Sequence, residues 1–298
     1  MTASQRHNYE YSVDPDADTA PARVVRMVGH GKRVLELGAG PGSITRILSG
    51  ENGCRITALE IDATALDKLA PYCERVCQAD LNRPDWADCL GGAADFEVVV
   101  LADVLEHVRD PAAVLAKAAS LLAGSGHMVI SLPHAGHVAI HACLFEEDFE
   151  YRDWGLLDRT HIRFFGLRNM QQLFEQCGLK IIAAEFVVRE PEQTEFAARW
   201  PRMPKALKQA LALNPFGRVY QVVVSAVPLA APGKSLSLLD MPVQGAQGAP
   251  AAALAAAALP SPPAAGAESR LRLLARHHLS PQTRARLRRL LGACGLRV

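Results

Sequence analysis

The run Arg33-Val34-Leu35-Glu36-Leu37, followed by Gly38-Ala39-Gly40-Pro41-Gly42, constrains the fold more than any other stretch of the sequence. Residues 33–37 have the apolar density of a short buried strand. The glycines after them permit a tight turn in which backbone approaches a ligand with no Cβ in the way. From Ser43 to Leu48 the pattern becomes helical. Strand, glycine turn and helix in succession open an α/β sheet of the kind that binds ligands at the carboxyl ends of its strands.

The same rhythm continues along the chain. Residues 55–60 read as a second strand ending at Glu60, and Asp62 caps a helix over 63–72. Val76 and Cys77 form a short third strand before Asp80. Residues 96–101 form an apolar run broken only by Glu97, as expected of a central parallel strand covered on both faces. Pro111 opens a helix that runs to Leu122. A fifth strand over 127–132, a helix over 166–177 stopped by Gly178, and strands over 180–188 and 220–227 complete the series. This alternation predicts an α/β fold: a doubly wound, seven-stranded, mostly parallel Rossmann-like sheet with right-handed crossovers. Two stretches break the rhythm and are expected as insertions after strands five and six. The first, 133–165, is rich in histidine, aromatic and charged residues and is placed to cover the site. The second, 189–218, carries Trp200, Pro201 and Pro204.

With 298 residues, 49% of them hydrophobic, the chain has enough apolar material for a substantial core. A net charge of +1 gives no reason to expect nucleic acid as a partner. The seven cysteines are odd in number and lack metal-ligand spacing, so they read as reduced thiols of a cytoplasmic protein, with no metal site expected. Residues 1–18 are polar and acidic, unlike a signal peptide, and no apolar run reaches the roughly 20 residues needed to span a bilayer. Three regions are expected. Residues 1–228 form the α/β domain, and 229–268, dominated by Ala, Pro, Gly and Ser, form a flexible linker. Residues 269–298 form a basic amphipathic tail with eight arginines and no acid. Such a tail suits peripheral contact with the anionic inner membrane; a solvated terminus is the alternative.

The acids at the strand ends discriminate between ligands. Glu36 lies two residues before Gly38, where a carboxylate repels a pyrophosphate but favours a cationic ligand. S-adenosylmethionine (SAM) carries both a sulfonium and an ammonium. Glu60 closes the second strand, in position to accept from both ribose hydroxyls. Asp80 is in position to accept from an adenine amino group, with Leu81 packed on the ring. A dinucleotide site fits Gly38, Gly40 and Glu60, but not Glu36, and Ser43 stands where the third small residue of that fingerprint belongs.

Val34-Leu35-Glu36-Leu37-Gly38-Ala39-Gly40-Pro41-Gly42 resembles the first motif of class I SAM-dependent methyltransferases, and Ala58-Leu59-Glu60-Ile61-Asp62 resembles their second. Asp103-Val104-Leu105-Glu106-His107, followed by Asp110-Pro111, is similar to the motif after strand four in the branch that includes ubiquinone-biosynthesis O-methyltransferases. Gly155-Leu156-Leu157-Asp158-Arg159-Thr160-His161-Ile162-Arg163-Phe164-Phe165 resembles a block of bacterial methyltransferases associated with surface-glycan synthesis. The resemblance covers residues 9–228. It implies a SAM seat built from Glu36, Gly38, Ala39, Gly40, Gly42, Glu60, Ile61, Asp80, Leu81, Ala102 and Asp103. Many relatives have Asn after the proline that follows strand five. Here Pro133 is followed by His134, which places His134 on the acceptor side and leaves the acceptor's identity open.

Methyl transfer is an in-line displacement, so the protein's main task is alignment. An oxygen nucleophile must also lose its proton, which a histidine accepts at neutral pH. The candidates are His107, His134, His137 and His161. His161 reads either as that base, oriented by Asp158, or as a hydrogen-bonder pinning the insertion to the sheet; the residues leave both readings open. His107 is expected to shape the pocket, and Phe164 and Phe165 to belong to the core. The glycan association favours a sugar hydroxyl as acceptor over a phenol, carboxylate or amine. Two alternatives stand beside this reading: a catalytically silent SAM-fold partner protein in a biosynthetic complex, and an NAD-dependent oxidoreductase.

Overall fold

A computed structural model describes residues 10–92 and 95–243. The strands are β1 (Arg33–Leu37), β2 (Arg55–Glu60), β3 (Arg75–Gln78), β4 (Phe96–Ala102), β5 (Leu122–Pro133), β6 (Leu179–Val188) and β7 (Val219–Pro228). They form one sheet in the order β3-β2-β1-β4-β5-β7-β6. The pairs from β3 to β5 are parallel, whereas β7 runs antiparallel to both β5 and β6. The doubly wound, mostly parallel expectation therefore holds.

Alternate side chains of each strand feed two separate cores, as period-two geometry requires. On one face Leu35, Leu37, Val99, Leu101, Met128 and Ile130 pack with residues of α4 (Pro111–Ala119) and α6 (Leu167–Gln176). On the other Val34, Ile56, Val98, Val100 and Val129 pack with α1 (Ala20–Val28) and α2 (Ser43–Gly50). Both faces being covered is why 96–101 carries no polar residue apart from Glu97 near its start. Asp62 caps α3 (Ala63–Leu69), accepting from Thr64 N at 2.8 Å. Gly178, at φ +70°, follows α6 as its stop signal predicts.

Several boundaries differ from expectation. α1 was not legible in the polar N-terminus, although Thr19 caps it and Pro21 lies in its first turn. α4 ends at Ala119 rather than Leu122, and β5 starts at Leu122, five residues early. Gly124 and Gly126 look like turn residues, yet they lie inside β5. A Cβ at Gly126 would stand 2.8 Å from the Phe96 carbonyl oxygen, so the missing side chain is what lets β4 and β5 approach. The chain also stays packed beyond Pro228: Leu236 N donates to Ile181 O at 2.8 Å, and Leu238 is fully buried in the α6–β6 core. The expected linker thus does not begin at 229. Its remainder and the basic tail, 244–268 and 269–298, lie outside the described residues.

Both insertions are present. The first contains α5 (Val138–Phe145) and the second α7 (Lys205–Leu211). They share a small core in which Phe196 packs with Ala139, Ile140, Cys143, Leu156 and Leu157. Arg199, from the second insertion, bonds Glu146, Asp148 and Glu150 of the first at 2.6, 2.5 and 2.7 Å. Glu195 accepts from Leu156 N at 2.5 Å and from the Tyr220 hydroxyl at 2.9 Å. No helix among the described residues is long and apolar enough to cross a membrane.

Candidate active site

A cavity of about 1230 Å³ opens at the carboxyl ends of β1, β2 and β4, where the glycine turn predicts a ligand. It exceeds the roughly 300–1,000 Å³ of ordinary ligand pockets, leaving room for a cofactor and an acceptor together.

The cofactor half is built by the glycine turn. Gly38 has φ +68°, and a Cβ there would stand 2.9 Å from Val104 Cγ2. Gly42, at φ +88°, precedes α2 in the left-handed region. Gly40 has nothing within 4 Å of where its Cβ would be, so backbone is presented to open space. Glu60 locks this turn: one oxygen accepts from Gly40 N at 2.8 Å, and the other accepts from Ile61 N and Asp62 N at 2.7 and 2.9 Å. Ribose hydroxyls would share a carboxylate that already orders three backbone amides. Glu36 is buried and accepts from the Thr45 hydroxyl at 2.8 Å. Burial pushes its carboxyl up to about 7, with Thr45 opposing and Glu60 adding repulsion.

Ala39, Ile61, Asp80, Leu81, Ala102 and Asp103 also line the cavity, whereas Gly42 stands just behind it. Asp80 accepts from Asn82 N and Nδ2 at 2.9 and 3.0 Å, and Asn82 Oδ1 in turn accepts from Arg109 N. Asp103, at φ +53°, is gripped by the Ser131 hydroxyl and by Gln221 Nε2, each at 2.9 Å. Tyr11 lies over this half; burial, with Asp103 and Glu36 nearby, keeps its phenol protonated. Ser131, Gln221 and Tyr11 carried no motif signal. They reach the site only through strand pairing and the N-terminal segment.

The acceptor half joins the strand-four motif to the 155–165 block. Ile162 N and Arg163 N both donate to the Glu106 carbonyl, at 2.9 and 3.1 Å. Glu106, His107, Asp158, Thr160 and His161 all line the cavity. Asp158 accepts from the Thr160 hydroxyl at 2.6 Å, and that oxygen accepts from His107 Nδ1 at 3.0 Å, so the acid reaches His107 through Thr160. His161 Nδ1 donates to Leu156 O at 3.3 Å. Burial, aided by the nearby His107, pushes the His161 ring down to about 4, so it stays neutral but is a weak base. His134 and His137 are elsewhere: His134 Nδ1 donates to Val219 O, and His137 caps α5 and donates to Arg189 O. The acceptor-side placement of His134 is thereby corrected. Its ring turns toward β7, and Gly136 packs against it. Phe165 is core, as expected, but Phe164 is exposed.

The residues fit SAM. A cradle of open backbone at Gly40 and acids at 36 and 60 suit a cationic ligand better than a pyrophosphate. A family model described as a methyltransferase domain matches residues 11–184. The ubiquinone biosynthesis O-methyltransferase of Xylella fastidiosa is 34% identical over 193 residues, covering 55% of this chain and 78% of that protein. That of Psychrobacter arcticus is 31% identical over 105 residues, covering 34% of this chain; the match spans only 40% of the length of that relative. Among solved structures, a Burkholderia thailandensis 1,6-didemethyltoxoflavin-N1-methyltransferase with bound S-adenosylhomocysteine aligns with a TM-score of 0.46 at 18% identity, covering 72% of this chain and 79% of that one. With the family model spanning more than half the sequence and the motif residues gathered around one cavity, this chain belongs to the class I SAM-dependent methyltransferase family.

Proposed function

We propose that this chain transfers the methyl group of SAM to a hydroxyl of a small-molecule acceptor, a sugar of a surface glycan being the favoured class. The observation that carries the reading is the single cavity with two chemically distinct halves: glycines and acids at one end, and His107, Asp158, Thr160 and His161 at the other. Curated relatives named as O-methyltransferases support a hydroxyl, and the 155–165 block supports a glycan.

SAM supplies the electrophilic methyl when bound. Glu36 takes its ammonium, Glu60 its ribose hydroxyls, and Asp80 with Leu81 its adenine. Asp103, fixed by Ser131 and Gln221, forms the floor between the halves. The His107 and His161 rings, 4.8 Å apart between centroids, face the acceptor oxygen from the insertion side. The residues of 133–165 and 189–218 exclude water from the reacting oxygen and select the acceptor.

Titration calorimetry with SAM, S-adenosylhomocysteine and NAD tests the cofactor assignment, and transfer of labelled methyl to a panel of sugar, phenol and amine acceptors tests the rest. We expect SAM and S-adenosylhomocysteine to bind and NAD not to; NAD binding without SAM binding would overturn the proposal. The tail is proposed to hold the protein against anionic membrane. Full-length protein should co-sediment with anionic liposomes and a 1–243 truncation should not; equal sedimentation would sink that role.

A further inference from the structure

We propose that Glu195, from the second insertion, is a positioning residue for methyl transfer: from behind the wall of the acceptor half it sets His161 and Tyr220 against the acceptor. This rests on the hydroxyl-acceptor reading above. Gly155, Leu156, His161 and Tyr220 line the cavity, whereas Glu195 does not.

One carboxylate holds both arms of that wall. Glu195 Oε1 accepts from Leu156 N at 2.5 Å, and Oε2 accepts from the Tyr220 hydroxyl at 2.9 Å. The Leu156 peptide passes the first bond on, because its carbonyl accepts from His161 Nδ1 at 3.3 Å. That second bond selects the Nδ1–H tautomer of the ring and puts its lone pair on Nε2. Glu195 therefore reaches Tyr220 directly and His161 through a single peptide unit. Its own place in the chain is pinned, since Thr194 and Phe196 on either side of it are buried, Phe196 completely.

Gly155 is shaped to admit this acid. It has φ +92°, and a Cβ there would overlap Glu195 Oε1 and stand 2.7 Å from Glu195 Cδ. Any side chain at 155 would drive the carboxylate off Leu156 N. The first residue of the 155–165 block is thus fixed by a contact with the second insertion, which the block's own sequence does not reveal.

In-line displacement tolerates little error in where the nucleophile sits, and a misplacement of about 1 Å costs about 100-fold in rate. Glu195 acts by geometry and takes no proton, a distinction that glutamine exposes. Glutamine at 195 accepts from Leu156 N through its oxygen and donates to the Tyr220 oxygen through its amide, so both arms persist; alanine keeps neither.

The test compares Glu195→Ala, Glu195→Gln and Tyr220→Phe in the full-length protein, with methyl-labelled SAM and with methyl glycosides and catechol as acceptor probes. Glu195→Ala should lower kcat/KM for the acceptor about 100-fold, mainly through kcat, while SAM affinity by calorimetry stays within about threefold. Glu195→Gln should restore all but about threefold of the loss. Nitrogen NMR of the His161 ring needs no acceptor: wild type and Glu195→Gln should show the Nδ1–H tautomer, and Glu195→Ala a mixture. Tyr220→Phe should keep the wild-type ring and lose turnover, which keeps the proposal decidable if the alanine variant fails to fold. Unchanged turnover with an unchanged ring in Glu195→Ala would overturn the proposal. So would a glutamine variant as impaired as alanine, SAM affinity that falls together with turnover, or wild-type turnover in Tyr220→Phe. Wild type that methylates none of the probes would overturn the hydroxyl reading instead, and the His161 tautomer would still decide whether Glu195 positions the ring.

Discussion

Glu36→Gln should make the cofactor-free protein more stable and SAM binding weaker at once. The carboxyl is 3% exposed and shifted from 4.5 to about 7, chiefly by burial. In the folded chain it keeps its proton through the window from about 4.5 to 7, whereas in the unfolded chain it loses it. Folding stability from this group is therefore fully present below the lower value and lost as pH rises through the upper one. The loss is about 1.4 kcal/mol per pH unit, or about 3 kcal/mol by pH 8. Glutamine keeps the acceptor for the Thr45 hydroxyl and carries no charge to desolvate. At pH 8 the variant should gain up to about 3 kcal/mol, a rise of roughly 6–12 °C in Tm for a domain of this size; near pH 4.5 the two proteins should coincide. Losing a charge-assisted bond to the SAM ammonium should weaken affinity roughly 10–100-fold at pH 8. Urea denaturation from pH 4.5 to 8 and calorimetry with SAM read both effects. A stability difference that does not grow with pH would refute the burial reasoning, and unchanged SAM affinity would refute the ammonium assignment.

Other substitutions probe the frame around the site. Glu60→Gln removes carboxylate acceptors from three backbone amides. It should cost about 1–3 kcal/mol in urea denaturation and raise the Kd for SAM. Gly38→Ala combines a left-handed φ with a Cβ 2.9 Å from Val104 Cγ2. Its strain should cost about 1–3 kcal/mol, detected as a lower Tm, and unchanged stability would show that the turn relaxes freely. Leu238→Ala should cost about 2–5 kcal/mol if the segment after β7 belongs to the core; a loss below about 0.5 kcal/mol, typical of surface sites, would contradict that packing.

The parts of this molecule that are local in sequence were legible from it. The β1 turn, Asp62 as a cap, the apolar β4 and the stop at Gly178 each depend on a few adjacent residues, and all stand where expected. What escaped depends on contacts across the fold. Gly126 reads as a turn until the Phe96 carbonyl is seen against it. Gln221 reaches Asp103 only because β7 runs antiparallel beside β5. Asp158 is three residues from His161, but its turn with Thr160 aims it at His107. Glu106 sits in the motif after strand four, but nothing local shows that its carboxyl lacks a hydrogen-bond partner.

The two insertions that roof the acceptor half are stapled together by Arg199, by Glu195 and by Phe196 at their common core. They therefore form a single exchangeable cassette, although the chain supplies it in two instalments on either side of α6 and β6. Grafting 133–165 alone from a relative with another acceptor would strand Phe196 against a foreign surface and leave Arg199 facing acids that are no longer there. A chimera carrying both segments together keeps those contacts. Changes of acceptor in natural descendants of this scaffold should accordingly alter both stretches in concert, while the glycine turn beneath them stays as it is.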